Sequence, residues 1–214
     1  AGIQDNDFIV VNVTPIHIND LLVAGVADIA LFVKVPVLIL FGSPRKKGNT
    51  VELARAMSAV LKDRGWGVRM LYLDDLNIRP CQGCYVCLPG GVCKINDDMK
   101  DVRKYIMESD LIIYATPIYW FGPSGQLKLV MDRSIAFMDE SYGSRIEGKK
   151  AVTLTTFADE DMDSCRPAID IFRKTFDLLK VAYAGQVNAP GCQTEGGVRQ
   201  EYIDKARTLA ESLA

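Results

Sequence analysis

The chain has 214 residues, of which 49% are apolar and 24% are charged, and its formal net charge is -2. This length predicts one globular domain with a single core. The near-neutral balance argues against a nucleic-acid-binding surface, because such a surface needs an excess of Lys and Arg.

Residues 1–35 form an N-terminal extension that precedes the regular alternation of strands and helices in the rest of the chain. Residues 8–13 predict a strand, and Asn19 or Asp20 can cap a helix that runs to Val33. That helix is apolar on nearly every side, so something must cover it. We expect it to be an oligomer arm on a neighbouring subunit, or else an extra layer folded back on its own domain.

The apolar stretch of residues 21–41 is not expected to span a membrane, because two charges and a proline interrupt it. A leader peptide would open with basic residues, whereas Asp5 and Asp7 stand near the start of this chain. The sequence therefore predicts a cytoplasmic protein.

From residue 36 to residue 214, apolar strands and amphipathic helices alternate. Strands are predicted at residues 37–41, 68–73, 111–115, 151–155 and 181–187. Helices are predicted at residues 50–64, 99–108, 124–137, 163–179 and 197–213. This alternation predicts an α/β fold with a doubly wound parallel sheet of five strands in the order 2-1-3-4-5. Ligands should bind at the carboxyl ends of the strands.

A loop of small and basic residues, GSPRKKGNT, occupies residues 42–50 after the first predicted strand. Its glycines let the backbone approach a ligand, and the helix that follows offers free N–H groups to an anion. The loop matches neither the Walker nor the Gly-x-Gly-x-x-Gly pattern, so a terminal monophosphate suits it best. A plain turn with a helix cap is the alternative. The predicted ligand contacts are Ser43, Arg45, Gly48, Asn49 and Thr50.

The long loop of residues 78–98 holds four of the six cysteines in the spacing Cys-x2-Cys-x2-Cys-x5-Cys. Cysteines at three-residue steps suit an iron-sulfur cluster better than one zinc ion, because the corners of a cluster separate its ligands. Bound zinc and free thiols are the alternatives, since spacing does not decide occupancy. The predicted ligands are Cys81, Cys84, Cys87 and Cys93.

After the third predicted strand the chain reads TPIYWFGPSGQLKLVMDR, residues 116–133. Backbone N–H groups and aromatic surface in this loop can lie along a flat apolar ring rimmed with hydrogen-bond acceptors. The predicted contacts are Pro117, Ile118, Tyr119, Trp120, Phe121 and Gly122. Lys128, Asp132 and Arg133 are interpreted as an ion-pair set that positions the next helix.

These motifs resemble those of the iron-sulfur flavoproteins in the NAD(P)H-dependent FMN reductase superfamily, which has a flavodoxin-like fold. Residues 42–50 are similar to the pattern Gly-Ser-x-Arg-x-x-Gly/Ser-Asn-Thr. The run that begins at Pro117 is similar to Pro-x-Tyr-Trp-x-x-Pro-Ser-x-Gln-Leu-Lys almost residue for residue. In the third flavin loop, where relatives often carry Gly, this chain reads TTFADEDM, and Thr156 and Phe157 are the expected contacts.

The resemblance covers residues 36 to about 213. It implies that the loops named above hold FMN and that the four cysteines hold a 4Fe-4S cluster. It further implies an oxidoreductase in which electrons pass between the cluster and FMN and then to an acceptor. The expected assembly is a homodimer or homotetramer with FMN at a subunit interface. Its redox partner would be a small molecule, with NAD(P)H among the candidates, or a ferredoxin; no nucleic acid or membrane is expected.

Two other functions fit the sequence less well. One is an NAD(P)H-dependent FMN or quinone reductase with a cluster-free thiol loop, which would take hydride at the flavin. The other is a non-enzymatic flavodoxin-like electron carrier, which the near-neutral charge disfavours because a carrier usually has an acidic face. No catalytic residue is assigned. The only histidine, His17, lies in the extension, which argues against a His-based hydrolase.

Overall fold

The computed structural model describes residues 34–213. Its central sheet has five parallel strands in the order β2-β1-β3-β5-β6, and a sixth strand, β4, pairs antiparallel with the end of β3. The strands are β1 (Lys34–Phe41), β2 (Trp66–Tyr72), β3 (Leu111–Tyr119), β4 (Gly122–Pro123), β5 (Lys150–Thr156) and β6 (Ala182–Ala189). The predicted α/β fold with a doubly wound parallel sheet is confirmed, whereas the five-strand count missed β4.

Strand β4 arises because β3 runs on to Tyr119, past the predicted end at residue 115, and then turns back. The turn consists of Trp120 and Phe121, which have φ angles of 48° and 63°. Positive φ at both central residues is typical of a tight hairpin, whose usual sequence signal is Asn-Gly. The hairpin was not predicted because its two central residues are aromatic and do not match that signal.

Helices cover both faces of the sheet. They are α1 (Asn49–Asp63), α2 (Met99–Glu108), α3 (Gly125–Asp132), α4 (Arg166–Leu178) and α5 (Gln200–Leu213). Three of them are shorter than predicted. A 3-10 turn of residues Arg133–Phe137 follows α3, another, Met162–Cys165, precedes α4, and α5 begins at Gln200 rather than at residue 197. The core thus follows the predicted alternation, and the differences lie at the helix ends and in the β3–β4 hairpin.

Strand β1 shows how the sheet divides the core into two layers. Val37, Ile39 and Phe41 belong to the apolar cluster beneath α1 and α5, while Leu38 and Leu40 belong to the cluster beneath α2, α3 and α4. Successive residues of a strand point to opposite faces, so an unbroken apolar run is what a strand buried on both sides requires. This rigid centre fixes the positions of the loops at the carboxyl ends of the strands.

The strand predicted at residues 8–13 and the helix predicted to end at Val33 lie outside the described residues, as does their role in assembly. Within residues 34–213, no helix has the length and the apolar character needed to cross a bilayer.

Candidate functional site

A cavity of about 220 Å³ opens where the carboxyl ends of the parallel strands meet. It receives residues from the loops after β1, β3 and β5, as the doubly wound topology predicts. Ten of the thirteen residues predicted to contact the flavin line it, namely Ser43, Arg45, Gly48, Asn49, Thr50, Pro117, Ile118, Tyr119, Thr156 and Phe157.

The loop after β1 presents groups suited to an anion. Ser43 is buried, and its Oγ accepts a hydrogen bond of 3.2 Å from the backbone N–H of Arg45. Helix α1 begins at Asn49, directly after its cap residue Gly48, so the N–H groups of Asn49 and Thr50 have no partner within the helix, while that of Val51 donates to the Gly48 carbonyl. Together with the exposed Arg45 side chain, these donors create a positive region at one end of the cavity.

Gly42 brings this loop into close contact with the start of α3. A Cβ atom at Gly42 would lie 2.8 Å from both the Leu127 Cβ and the Ser124 Oγ. Ser124 caps α3 and its hydroxyl donates to the Gly42 carbonyl over 2.6 Å. The first and second loops can approach this closely only because residue 42 has no side chain.

The side chain of Asn49 holds a segment from the far end of the chain. Its side-chain amide donates to the carbonyls of Cys192 and Thr194, at 3.2 and 2.8 Å, and its carbonyl oxygen accepts from the N–H of Gly197 at 2.8 Å. Both amide donors are thereby used in holding the segment of residues 192–197. Asn49 therefore lines the cavity and also fixes the position of that segment.

The third loop is joined to the first by a hydrogen bond of 2.7 Å between the hydroxyls of Thr50 and Thr156. Both residues are buried. Phe157 is held to the end of β6 and the segment that follows it, because its N–H donates to the Ala189 carbonyl and its own carbonyl accepts from the N–H of Cys192. The loop is fixed although it lacks the glycines common in relatives.

Three predicted contacts do not line this cavity: Trp120, Phe121 and Gly122. The hairpin turn directs them away, and Trp120 is 96% exposed. Conversely, sequence reasoning missed Ala158, Cys192, Gln193 and Glu195, which complete the wall. Three of these four follow β6, and their position after the last parallel strand was the available signal. Burial raises the pKa of the Cys192 thiol, so this side chain adds no charge to the wall.

A second cavity, of about 190 Å³, is lined by all four predicted cysteine ligands. All four are free thiols. Burial raises the pKa of the Cys87 thiol, while the N–H of Val86 and the charge of Lys94 lower that of the exposed Cys84. Within residues 34–213, no three Cys, His, Asp or Glu side chains converge tightly enough to be recognised as a metal site.

The cysteine loop is anchored by a buried ion pair that the sequence did not predict. Arg133 Nη1 donates to Asp97 Oδ2 over 2.9 Å and Nη2 donates to Oδ1 over 3.1 Å. The predicted pairing within α3 holds for Lys128 and Asp132, which lie 2.5 Å apart, but Arg133 turns away from them toward the cysteine loop. Arg133 thus forms a structural ion pair, as predicted, but with Asp97 in place of Lys128 and Asp132.

Comparison with known proteins places residues 35–170 in the family described as NADPH-dependent FMN reductase. An iron-sulfur flavoprotein of Archaeoglobus fulgidus is 32% identical over 178 residues, which cover 82% of this chain and 77% of that protein. Iron-sulfur flavoprotein MJ1083 of Methanocaldococcus jannaschii is 40% identical over 98 residues, or 46% of this chain. This match spans about half, 51%, of the length of that relative.

Among solved structures, the NAD(P)H:quinone oxidoreductase from Methanothermobacter marburgensis has a similar fold. The two superpose with a TM-score of 0.69 over 84% of this chain and 96% of that one. Their sequence identity is 18%, so the likeness concerns the fold alone.

Proposed function

This chain belongs to the NADPH-dependent FMN reductase family and is a flavin-dependent oxidoreductase, and on that premise we propose that it binds FMN at the strand ends and a 4Fe-4S cluster at the cysteine loop. The observation that carries the FMN assignment is the convergence of three loops, far apart in sequence, on one cavity.

The two ends of the first cavity would hold different parts of FMN. Ser43, Arg45 and the first turn of α1 would hold the phosphate, because they bring N–H, hydroxyl and guanidinium donors to one place. Tyr119 and Phe157 line the same cavity, and their aromatic side chains would contact the ring system.

The cysteine cavity fits an iron-sulfur cluster by the chemistry of its donors. Cluster sites of the 4Fe-4S type use four thiolates, and four free thiols line this one cavity. A zinc ion would need its donors within about 2.3 Å of one point. The three-residue steps between Cys81, Cys84 and Cys87 suit the larger group better, and the names of the iron-sulfur flavoprotein relatives support the same choice.

When bound, FMN exchanges two electrons with a donor such as NAD(P)H and a cluster exchanges one at a time, so the pair would couple one-electron and two-electron reactions. The chain's contribution is to hold both groups on one rigid sheet. We further propose a homodimer or homotetramer, in which the exposed aromatic turn of Trp120 and Phe121 contacts a second copy.

Flavin titrations of Arg45→Ala test the FMN site. The variant should bind FMN about tenfold more weakly, since it loses a charge-assisted hydrogen bond to phosphate. It should bind riboflavin, which lacks the phosphate, as the wild type does. Arg55→Ala removes an exposed arginine of α1 outside the cavity and serves as the control. Failure of the wild type to take up FMN, or equal loss of FMN and riboflavin, would contradict the assignment.

The same preparation distinguishes the cluster from a thiol loop. Anaerobically purified protein should show broad iron-sulfur absorption beneath the flavin bands. A protein with flavin bands alone, active with NAD(P)H and a quinone, would be a reductase with a cluster-free loop.

A further inference from the structure

Arg133 joins the two candidate sites. It follows α3, the helix that begins after the second flavin loop, and it reaches the cysteine loop on the other side. Its side chain is 2% exposed, and that of its partner Asp97 is fully buried. A fork of two parallel hydrogen bonds to a carboxylate fixes both position and orientation, which a single contact cannot do.

The pair also closes the base of the cysteine loop. Besides Arg133, Asp97 accepts hydrogen bonds from the N–H groups of Arg79 at 2.9 Å and Met99 at 3.2 Å. Arg133 Nη1 donates in turn to the Arg79 carbonyl at 2.9 Å. Burial by itself would raise the pKa of Asp97, but Arg133 and these N–H groups outweigh it and lower the pKa, so the carboxylate is charged.

Arg133 brings its positive charge to the thiols as well. It lines the cavity shared by all four cysteines and also a smaller cavity, of about 90 Å³, beside Cys93. Asp132 is the other charged residue of the larger cavity, and it is half exposed and paired with Lys128. Arg133 is therefore the buried charge that faces the sulfurs.

We propose that Arg133 is a positioning residue that fixes the cysteine loop to α3 and supplies the buried counter-charge that sets the reduction potential of the group bound by the four cysteines. The inference rests on the proposed 4Fe-4S site. Reduction by one electron from an external reductant makes that site one unit more negative while Arg133 keeps its proton. A fixed positive charge nearby favours the added electron.

The two partners of the pair allow a test with opposite signs. Asp97→Asn keeps the shape and leaves Arg133 uncompensated, so the midpoint potential should rise. Arg133→Gln removes the positive charge and should lower it. We expect each change to alter the equilibrium constant for reduction about tenfold, or about 59 mV for one electron. The measurement is a spectroelectrochemical titration of the iron-sulfur absorption at pH 8, with iron content determined on the same samples.

Two further variants separate charge from structure. Arg79→Gln removes an exposed arginine of the same loop and leaves its backbone carbonyl, so it should not change the potential. Arg133→Lys keeps the charge without the fork, so it should keep the potential close to that of the wild type while losing iron faster on dialysis. If Arg133→Gln does not fold, Arg133→Lys still tests whether the charge at this position sets the potential.

The outcomes are distinct. Opposite shifts in the two single variants support the inference, whereas shifts of the same sign would show that Arg133 acts through structure alone and would overturn it. A potential that falls in Arg133→Lys would overturn it as well. A wild-type protein that takes up no iron and sulfide would overturn the cluster proposal itself, and with it this inference.

Discussion

The flavin cavity and the cysteine cavity are held together by different kinds of side chain. Loops far apart in sequence form the first, and short neutral groups join them: Ser124 to Gly42, Thr50 to Thr156, and Asn49 to residues 192–197. One continuous loop supplies all four cysteines of the second, and arginines from outside hold that loop. Arg133 binds its base, and Arg145 donates to the carbonyls of Leu88 and Pro89.

This difference suggests how each region suits its ligand. Neutral hydrogen bonds can fix the flavin cavity on strand ends without cancelling the positive region that a phosphate needs. Thiolates bring negative charge to the cysteine loop, so anchoring by arginine stabilises both the loop and its ligand. The two regions should therefore fail separately when each is disturbed.

Loss of one cysteine should have the largest effect. Cys87→Ser removes a buried predicted ligand, and we expect the iron-sulfur absorption to disappear while the FMN content stays unchanged. Cys165→Ser, at a buried free thiol outside the loop, is the matched control and should keep both. If Cys87→Ser also lost FMN, the two regions would not be independent.

Asp97→Asn weakens the anchor of the cysteine loop. Disrupting a buried ion pair should lower the free energy of unfolding near neutral pH by about 3 kcal/mol. Because folding lowers the pKa of Asp97, its stabilisation is present above the unfolded pKa of about 4 and is lost as the pH falls through the lower folded value. Urea unfolding should thus show a gap between wild type and variant that narrows below about pH 4. A constant gap would contradict this role of the pair.

Asn49→Ala should weaken the flavin cavity alone. Losing the hydrogen bonds that hold residues 192–197 should raise the Kd for FMN about thirtyfold, or about 2 kcal/mol, because the wall becomes free to move. Asn77→Ala, at an exposed side chain near the cysteine loop, provides the control in a fluorescence titration. If Asn49→Ala lost iron and kept its affinity for FMN, Asn49 would support the cysteine cavity and not the flavin cavity, which contradicts this prediction.

The sequence predicted the parts that local patterns encode. Apolar runs marked the five parallel strands, and glycines, small donors and cysteine spacing marked three loops that line the two cavities. It missed what depends on the tertiary structure. Nothing near Arg133 indicates a partner 36 positions away, and Asn49 meets residues more than 140 positions further on. The Trp120–Phe121 hairpin was missed because aromatic residues do not mark a tight turn.

The content of FMN, iron, sulfide and zinc in anaerobically purified protein tests most directly whether one chain holds two different redox groups. The two cavities predict about one FMN with about four iron and four sulfide per chain, and little zinc. One zinc per chain, or FMN without iron and sulfide after reconstitution, would contradict the account.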